Sequence, residues 1–543
     1  MSRCCFLSAS AELTAYSSGR ITKWYWSYSY RPVSCRAVPL CKARCSPVLP
    51  CPPCARLAKI GEVNAEGELA VTHASPAPEH AAQERPYRVA VIGAGPAGIY
   101  ASDILSKSDI PVSIDLFDKL PTPYGLVRYG VAPDHPRIGS IIKALHAILK
   151  RGDIRFLGNV KIGEDVHMSE IHEFYDAVVV ATGADQSVPL EVPGADLPEV
   201  YGAADFVSWY DGHPDVPRAW PLNARNVAVI GVGNVALDIS RILVRSADDL
   251  RAHTDIPENV ERGLRSNPVE HVHIFGRRGP AQVKFTPLEL RELSEVAGVD
   301  IQVYPEDFQY DAGSQEALDS SKMTRQVVDL LTDWVFNDPD EMTAPRRIHI
   351  HLMQAPVEIL GTDHVTGIRM ERTQLQGDGT VTGTGETVDY PVEAVYSAIG
   401  YASEPLDGLP WDPIHRVIPN VEGRIVTDTG ETIPGYYVTG WIKRGPVGLI
   451  GSTKSDARQT IRHLVADAQA GIARATGDGS GGRGLLDLLT ERGVKWTTWE
   501  GWELLEAFEE NFGAQQGRAR VKVVNRDTMT AISRGESHDG ALL

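Results

Sequence analysis

The stretch Val91-Ile-Gly-Ala-Gly-Pro-Ala-Gly-Ile-Tyr100 decides the fold that we predict for this chain. The apolar run that leads into it, Tyr87–Ile92, predicts a buried parallel strand, and Ile99–Leu105 predicts the helix that follows. The glycines between them have the G-x-G-x-x-G spacing, which permits a tight turn, close approach of a pyrophosphate and close helix–strand packing. The N-terminus of the helix would offer free N–H groups to the phosphates. We therefore predict a dinucleotide-binding unit, the alternative being an ordinary strand-to-helix turn.

The acid that completes such a unit is also present. Gly93, Gly95 and Gly98 carry the glycine spacing, and the next predicted strand, Val112–Phe117, runs into Asp118. A carboxylate at the end of this strand accepts a hydrogen bond from a ribose 2′-hydroxyl. We therefore expect an unphosphorylated ribose, as in FAD or NAD, at the first fingerprint.

A second fingerprint, Gly231-Val-Gly-Asn-Val-Ala-Leu-Asp238, follows the predicted strand Val227–Ile230. Ala236 takes the third glycine position, where a small side chain still permits close contact between helix and strand. The strand after it, His271–Phe275, ends in Gly276-Arg277-Arg278 rather than in an acid. Because guanidinium groups form bidentate hydrogen bonds with phosphate, this pair predicts a 2′-phosphate, as in NADP(H). Two solvated surface arginines are the alternative.

Strands and helices alternate along the chain, which is typical of an α/β fold. We predict two dinucleotide-binding, Rossmann-like domains, with the NADP domain inserted into the FAD domain. Two different dinucleotides set face to face would transfer hydride from a nicotinamide to a flavin. The expected boundaries are 86–190 and 396–475 for the two parts of the FAD-binding domain, 191–395 for the NADP-binding domain, and 476–543 for a C-terminal helical segment and tail.

Residues 1–85 differ in composition from the rest, and we expect a disordered leader and linker there. The first 60 residues contain nine lysines and arginines and one acid, Glu12, and all seven cysteines precede residue 55. One interpretation is an organelle transit peptide, and another is an extension that is absent from the native product. A cysteine-held cluster is a third, although the cysteine spacing does not match that of ferredoxins. The acidic body fits a cytoplasmic protein; a genuine basic leader would fit a mitochondrial one.

Composition limits the classes of function. A chain of 543 residues is too long to fold around a single hydrophobic core. The formal charge of −18 argues against nucleic acid as the main partner. No apolar run reaches the length of a membrane-spanning helix. The absence of cysteines after residue 54 disfavours a disulfide reductase. We also expect no bound metal. The sequence carries no direct signal of oligomeric state, and our expectation is a monomer or a weak dimer.

Several longer motifs in this sequence resemble one known family. The resemblance extends over about residues 85–525 and rests on Leu120-Pro-Thr-Pro-Tyr-Gly-Leu-Val-Arg128, Gly130-Val-Ala-Pro-Asp-His-Pro136, Gly233-Asn-Val-Ala-Leu-Asp238, Gly276-Arg-Arg-Gly-Pro280, Leu288-Glu-Leu-Arg-Glu-Leu293 and Gly440-Trp-Ile-Lys-Arg-Gly-Pro446. In these motifs the chain is similar to ferredoxin–NADP⁺ reductases of the adrenodoxin reductase type. The family binds FAD and NADP(H) and passes electrons from NADPH singly to a small iron–sulfur protein of the ferredoxin type.

The resemblance implies particular cofactor-binding positions. For FAD they are Ala97, Asp118, Leu126, Ile162, Trp441, Gly448, Leu449 and Ile450. For NADP they are Val232, Gly233, Asn234, Val235, Arg277, Arg278, Glu289 and Gly448.

His135 and Glu292 are the candidates for catalytic residues at the flavin–nicotinamide junction. A histidine changes its charge near neutral pH and could respond to charge on a reduced flavin. Glu292 lies one helical turn from Glu289, on the same predicted helix face. The alternatives are a loop hydrogen bond for His135 and a solvated helix acid for Glu292.

Two pairs of basic residues are further candidates. Arg241 and Arg245 are four residues apart on the helix of the second fingerprint, and we predict that they form part of a basic docking surface for an acidic ferredoxin. Lys443 and Arg444 lie in a predicted loop that could contact a coenzyme or a partner. Ordinary surface charges are the alternative for all four.

Two other functions stay open at this point. One is an NADPH-dependent flavin reductase of a small molecule such as a quinone. The other is a dinucleotide-binding sensor without turnover. A purified protein that is yellow and loses its colour with NADPH would exclude the sensor.

Overall fold

The computed structural model describes residues 85–135, 138–448, 450–472 and 482–537. The predictions for the N-terminal leader and its cysteines lie outside the described residues. Strands occupy β1 Tyr87–Ile92, β2 Val112–Phe117, β3 Arg155–Leu157, β4 Ala177–Val180, β5 Gln186–Ser187, β6 Val200–Gly202, β7 Asn226–Ile230, β8 His271–Phe275, β9 Val299–Val303, β10 Arg346–His351, β11 Gln354–Gly361, β12 Val365–Leu375, β13 Val381–Tyr390, β14 Ala394–Ser397, β15 Tyr401–Ala402, β16 Asn420–Val421, β17 Arg424–Val426 and β18 Thr432–Val438. Helices occupy α1 Pro96–Leu105, α2 Leu126–Tyr129, α3 Ile138–Leu149, α4 Met168–Phe174, α5 Ala203–Tyr210, α6 Asn234–Val244, α7 Ala247–His253, α8 Glu258–Arg265, α9 Pro287–Ser294, α10 Ala312–Ser320, α11 Lys322–Val335, α12 Trp441–Arg444, α13 Ile450–Gln469, α14 Gly482–Glu491, α15 Trp499–Gln515 and α16 Arg526–Ser533.

The first sheet has the strand order β16-β17-β18-β4-β1-β2-β3. From β18 to β3 all neighbours are parallel, whereas β16 and β17 join as antiparallel strands at one edge. β4 ends at Val180 and its neighbour β18 begins at Thr432, so this sheet takes strands from both sides of a long intervening segment.

The intervening segment forms a sheet of its own, in the order β6-β14-β7-β8-β10-β9. All of its neighbouring strands are parallel. In the sequence, the strands of the second sheet lie between β4 and β18 of the first sheet. This arrangement confirms the predicted α/β class with an inserted second nucleotide-binding fold. Buried side chains on both faces of each sheet explain the nearly continuous apolar runs in strands such as β1 and β7.

A three-stranded antiparallel sheet, β11-β12-β13, is an element that the sequence pattern did not predict as a unit. β13 is polar, contains two glycines and is exposed along most of its length. A strand without alternating apolar residues gives no period-2 signal, so the sequence pattern does not reveal β13.

The last described segment is more closely integrated than a tail. Glu509 on α15 is fully buried and pairs with Arg128 across 2.5 Å. Farther along, Arg518 donates to the carbonyl oxygens of Thr254 and Ile256 in the inserted segment. Across the described residues, no helix combines the length and apolar character that a membrane crossing requires.

Candidate active site

A cavity of about 750 Å³ opens at the carboxyl end of the first sheet. Loops that follow β1, β2, β4 and β18 form its walls, as expected for ligand sites in open parallel sheets. Predicted FAD-binding residues line it together with one residue of the second fingerprint: Gly93, Gly95, Ala97, Asp118, Leu126, Ile162, Trp441 and Val235. The predicted residues therefore converge on one space, large enough for much of a dinucleotide.

The glycines of the first fingerprint are required by close backbone contacts. Gly93 has φ +107°, and a β-carbon there would lie 2.5 Å from the carbonyl oxygen of Ala181. A β-carbon on Gly98 would lie 1.9 Å from the carbonyl oxygen of Gly93. Gly95 has no atom within 4 Å of the place where its β-carbon would be, and it lines the cavity. The space at Gly95 thus fits a pyrophosphate, whereas the other two glycines serve the protein itself.

Two alanine substitutions should separate folding from flavin binding. We expect Gly98→Ala to give insoluble or unfolded protein, because the added methyl group would clash with the backbone of Gly93 and prevent α1 from packing there. Gly95→Ala should fold with stability within about 1 kcal/mol of the parent, because φ at Gly95 is −76°. The flavin content of purified Gly95→Ala, read from its absorbance, should nevertheless fall strongly. Full flavin content in Gly95→Ala would contradict the assignment of this space to pyrophosphate.

Asp118 is buried at the edge of the cavity and holds the fingerprint loop in place. One carboxylate oxygen accepts from the amide of Ala94 at 2.7 Å, and the other accepts from the amide of Leu120 at 2.9 Å. Burial raises the pKa of Asp118 to about 6, although the two amides act in the opposite direction. Each carboxylate oxygen keeps a second lone pair, so the group can still accept from a ribose hydroxyl.

The opposite wall of the cavity is formed by the turn after β18. Gly440 has φ +82°, and a β-carbon there would lie 2.7 Å from the β-carbon of Ala97. Its amide donates to Asp456 at 2.6 Å. Trp441, the next residue, opens the short helix α12 and lines the cavity. Ala97 therefore has a packing role in addition to its place at the cavity wall.

The buried position of Lys443 argues against the predicted contact with a coenzyme or a partner. Its side chain is 6% exposed, and its ammonium group lies 2.8 Å from Asp456 and 2.8 Å from Gln459. Arg444 is more open and donates to the carbonyl oxygen of Val447, which fastens the loop before Gly448. The contacts of both residues stabilise the conformation of the segment that contains them.

Gly448 has φ +89° in that loop. Leu449 lies outside the described residues, and for Ile450 the structure describes only the backbone, which begins α13. The predicted FAD contacts of these two residues therefore remain predictions.

The second fingerprint forms a separate cradle. A β-carbon on Gly231, which has φ +139°, would lie 2.3 Å from the carbonyl oxygen of Ala398. A β-carbon on Gly233 would meet nothing within 4 Å, as at Gly95 in the first fingerprint. The side-chain oxygen of Asn234 accepts from the amide of Thr286 at 2.9 Å, at the start of helix α9. Asn234 therefore joins the fingerprint to the helix that carries Glu289 and Glu292.

The paired arginines lie beside this second cradle. Gly276 packs so closely that its β-carbon would be 2.5 Å from a methyl group of Val232. Arg277 is exposed and Arg278 is half-buried, and no ion pair of either guanidinium occurs among the described residues. Glu289 carries a buried carboxylate oxygen without a hydrogen-bond partner. Open guanidiniums and an orphaned acceptor next to a glycine cradle fit a phosphorylated nicotinamide dinucleotide.

His135 and Glu292 come together, although 157 positions separate them in the chain. His135 Nδ1 lies 3.4 Å from Glu292, and its Nε2 lies 3.5 Å from Asp238 on α6. The contact with Asp238 raises the pKa of His135 above its usual 6.5, against the effect of burial. Burial raises the pKa of Glu292. The loop of the first fold thus places an imidazole between two acids of the second.

The predicted docking role of Arg241 and Arg245 is wrong. The Arg241 side chain is 2% exposed and forms hydrogen bonds to Asp134 at 2.7 Å and to Asp238 at 2.8 Å. Arg245 is 23% exposed and pairs with Asp134 and Asp249. These arginines join the loop before His135 to helix α6, so they are structural contacts rather than a free basic surface.

Tyr401 is a cavity residue that the sequence reasoning missed. It lines the cavity, its hydroxyl is buried without a hydrogen-bond partner, and its ring lies 6.2 Å from that of Trp441. It follows Gly400, just after the end of strand β14. A polar residue directly after a strand-end glycine is the signal that could have identified it.

Comparison with known proteins gives consistent matches. Residues 87–278 match the family model described as pyridine nucleotide-disulphide oxidoreductase. The chain is 37% identical over 472 residues to the mitochondrial NADPH:adrenodoxin oxidoreductase of Arabidopsis thaliana, with 83% of this chain and 96% of the relative covered. It is 38% identical over 464 residues to the NADPH-ferredoxin reductase FprA of Mycobacterium tuberculosis, with 83% of this chain and all of the relative covered.

Solved structures agree with these sequence matches. A structure of Mycobacterium tuberculosis FprA in complex with NADPH superposes with a TM-score of 0.76 at 37% identity. The match covers 83% of this chain and 100% of the solved chain. The similarity therefore extends through both nucleotide-binding folds.

Proposed function

Because the chain belongs to the family of NADPH-dependent ferredoxin and adrenodoxin reductases, we propose that its first cradle holds FAD and its second holds NADP(H). The protein is a flavin-dependent oxidoreductase that passes electrons from NADPH through FAD to an iron–sulfur protein of the ferredoxin type. When bound, the flavin accepts a hydride and releases electrons one at a time, which the protein side chains cannot do alone.

One observation carries the assignment of the two cofactors. The first cradle is closed by a carboxylate, Asp118, and the second by two guanidiniums without ion-pair partners in the described part of the chain, Arg277 and Arg278. A carboxylate repels a 2′-phosphate and accepts from a 2′-hydroxyl, whereas guanidiniums bind a 2′-phosphate. FAD therefore belongs to the first cradle and NADP(H) to the second.

The site residues follow from this assignment. We assign Gly93, Gly95, Ala97, Gly98, Asp118, Leu126, Ile162, Trp441, Gly448, Leu449 and Ile450 to FAD. We assign Val232, Gly233, Asn234, Val235, Arg277, Arg278, Glu289 and Gly448 to NADP(H). The position of Val235 in the wall of the first cavity supports a meeting of the two ligands there.

His135 and Glu292 are assigned to the junction between the two ligands. The imidazole bridges two acids at 3.4 and 3.5 Å, so it can hold a proton between them. A protonated imidazole there would provide a positive charge near a flavin that gains negative charge. Asp238 acts through His135 and is a positioning residue.

The pH dependence of flavin reduction tests this assignment. Asp238 raises the pKa of His135, so the imidazole keeps its proton to higher pH than a free histidine does. We expect Asp238→Asn to shift the alkaline limb of the NADPH-driven flavin reduction rate to lower pH, measured by stopped flow over about pH 6 to pH 9. Glu295→Gln, an exposed acid after α9, is the control and should leave the limb in place. An unmoved limb in Asp238→Asn would remove His135 from the pH dependence.

The overall function is tested on the flavin-loaded enzyme. Anaerobic mixing should bleach the flavin rapidly with NADPH and slowly with NADH. Reduced enzyme should then reduce cytochrome c only when a ferredoxin is added. Reduction of a quinone that is as fast without ferredoxin as with it would favour the small-molecule reductase. Protein that binds a dinucleotide but whose flavin is not reduced by NADPH would favour the sensor.

For the compartment and assembly state we infer the following. The acidic body supports a cytoplasmic protein, and a mitochondrial location applies if the basic leader is genuine. Fluorescent fusions with and without residues 1–85 distinguish the two. We expect a monomer or a weak dimer, and light scattering of the holoenzyme would test this. The domain boundaries at 190, 395 and 475 also remain expectations.

A further inference from the structure

Four histidines occupy one face of two neighbouring strands in the second sheet. His271 and His273 come from β8, and His349 and His351 come from β10. Alternate residues of a strand share a face, and the parallel register places His273 directly opposite His349. Nothing in the proposed electron-transfer function uses these side chains, and none of them lines the cavity at the first sheet.

The imidazole nitrogens lie close together. His271 Nδ1 is 3.0 Å from His349 Nε2, and His273 Nδ1 is 3.0 Å from His351 Nε2. The rings of His273 and His349 stack with centroids 4.4 Å apart. Ligand nitrogens of His273, His349 and His351 all lie within 4.8 Å of one another. Among the described residues, this is the one place where three or more His, Cys, Asp or Glu side chains bring their potential ligand atoms so close together.

Aromatic side chains pack around the buried part of this cluster. His349 and His351 are buried, and the aromatic rings of Phe275 and Tyr390 pack against His351. Neutral imidazole is the form of histidine that binds a metal.

We propose that His273, His349 and His351 bind a divalent transition-metal ion of the zinc class. Three imidazoles suit zinc, copper and nickel, and the cluster offers no carboxylate that would favour magnesium or calcium. A tetrahedral ion with Zn–N bonds of about 2.0–2.1 Å needs its nitrogens about 3.4 Å apart. Ring rotation out of the stack closes the remaining distance, and His271 or water completes the coordination.

A metal at this place would cross-link β8 to β10. β8 leads directly into Gly276 and the paired arginines of the second cradle. The ion would therefore brace the strand that leads to Arg277. The expected role is stabilisation of the inserted domain.

Zinc binding to the holoenzyme tests the proposal. The protein is prepared without a histidine tag, and its thiols are blocked by alkylation, which affects only residues 4–54 because no cysteine follows Cys54. We expect one equivalent of zinc in competition with a chromophoric chelator, together with a rise in the thermal unfolding midpoint. Wild-type holoenzyme that binds no zinc under these conditions overturns the proposal.

Substitutions locate the site. His273→Gln and His349→Gln should each weaken zinc binding at least about 100-fold, since removal of an outer-shell partner alone costs about 10- to 100-fold. His253→Gln is the matched control, because that side chain is 67% exposed and outside the cluster. Unchanged affinity in a His273→Gln protein with full flavin content would place the zinc elsewhere and overturn the proposal. His273 is only half-buried, so this variant serves if His349→Gln fails to fold.

Discussion

Replacement of Arg277 and Arg278 by alanine should remove most of the preference for NADPH over NADH. Each guanidinium–phosphate interaction contributes about 1.5–3 kcal/mol, so loss of both should lower kcat/KM for NADPH by about 1000-fold. The value for NADH should change little, because that coenzyme lacks the 2′-phosphate. Steady-state reduction of ferredoxin-coupled cytochrome c with each coenzyme measures both values.

The structure offers a control for this double substitution. Arg262 is exposed at the end of α8, away from the second fingerprint, and Arg262→Ala should leave both coenzymes unaffected. The open position of Arg277 also means that the double variant should keep its fold. A variant with full flavin content that still prefers NADPH would show that other groups bind the 2′-phosphate.

Replacement of Arg241 by methionine should cause a large loss of stability in a protein that still folds. The guanidinium is buried against Asp134 and Asp238, and both carboxylates are themselves less than 10% exposed. Removal of one partner from a buried ion pair leaves the other charge uncompensated and costs about 3–5 kcal/mol. The free energy of unfolding of the holoenzyme, from denaturant titration, should fall by this amount.

Arg245→Met is the matched comparison. Arg245 bonds the same carboxylate, Asp134, but its side chain is 23% exposed and water can replace its hydrogen bonds. We expect a loss of about 1 kcal/mol or less. Similar losses in both variants would mean that burial does not determine the contribution of this network.

The nucleotide-binding folds could be predicted because their signals are local. The strand, glycine turn, helix and closing charge of each fingerprint lie within one short stretch, and Asp118 and Arg277 follow their strands directly. His135 and Glu292 are both predicted from the sequence as junction residues, and the structure places their side chains 3.4 Å apart.

Other features depend on contacts that no local pattern shows. Arg241 has the spacing of a surface charge, yet Asp134, more than 100 residues earlier, covers it. Lys443 is enclosed by Asp456 and Gln459 from the following helix. The histidines of β8 and β10 alternate visibly in the sequence, but their proximity follows from the pairing of strands more than 70 residues apart.

The order of the strands in the first sheet has a consequence for biosynthesis. β4 emerges from the ribosome long before its partner β18, because the whole inserted segment is translated between them. During that interval one side of β4 exposes unpaired backbone amides and carbonyls beside an apolar surface, a state that favours association with other chains. The inserted segment can complete its own sheet during this time, since all six of its strands precede residue 398. The first sheet of the nascent chain therefore keeps an unpaired edge at β4 until translation passes Val438.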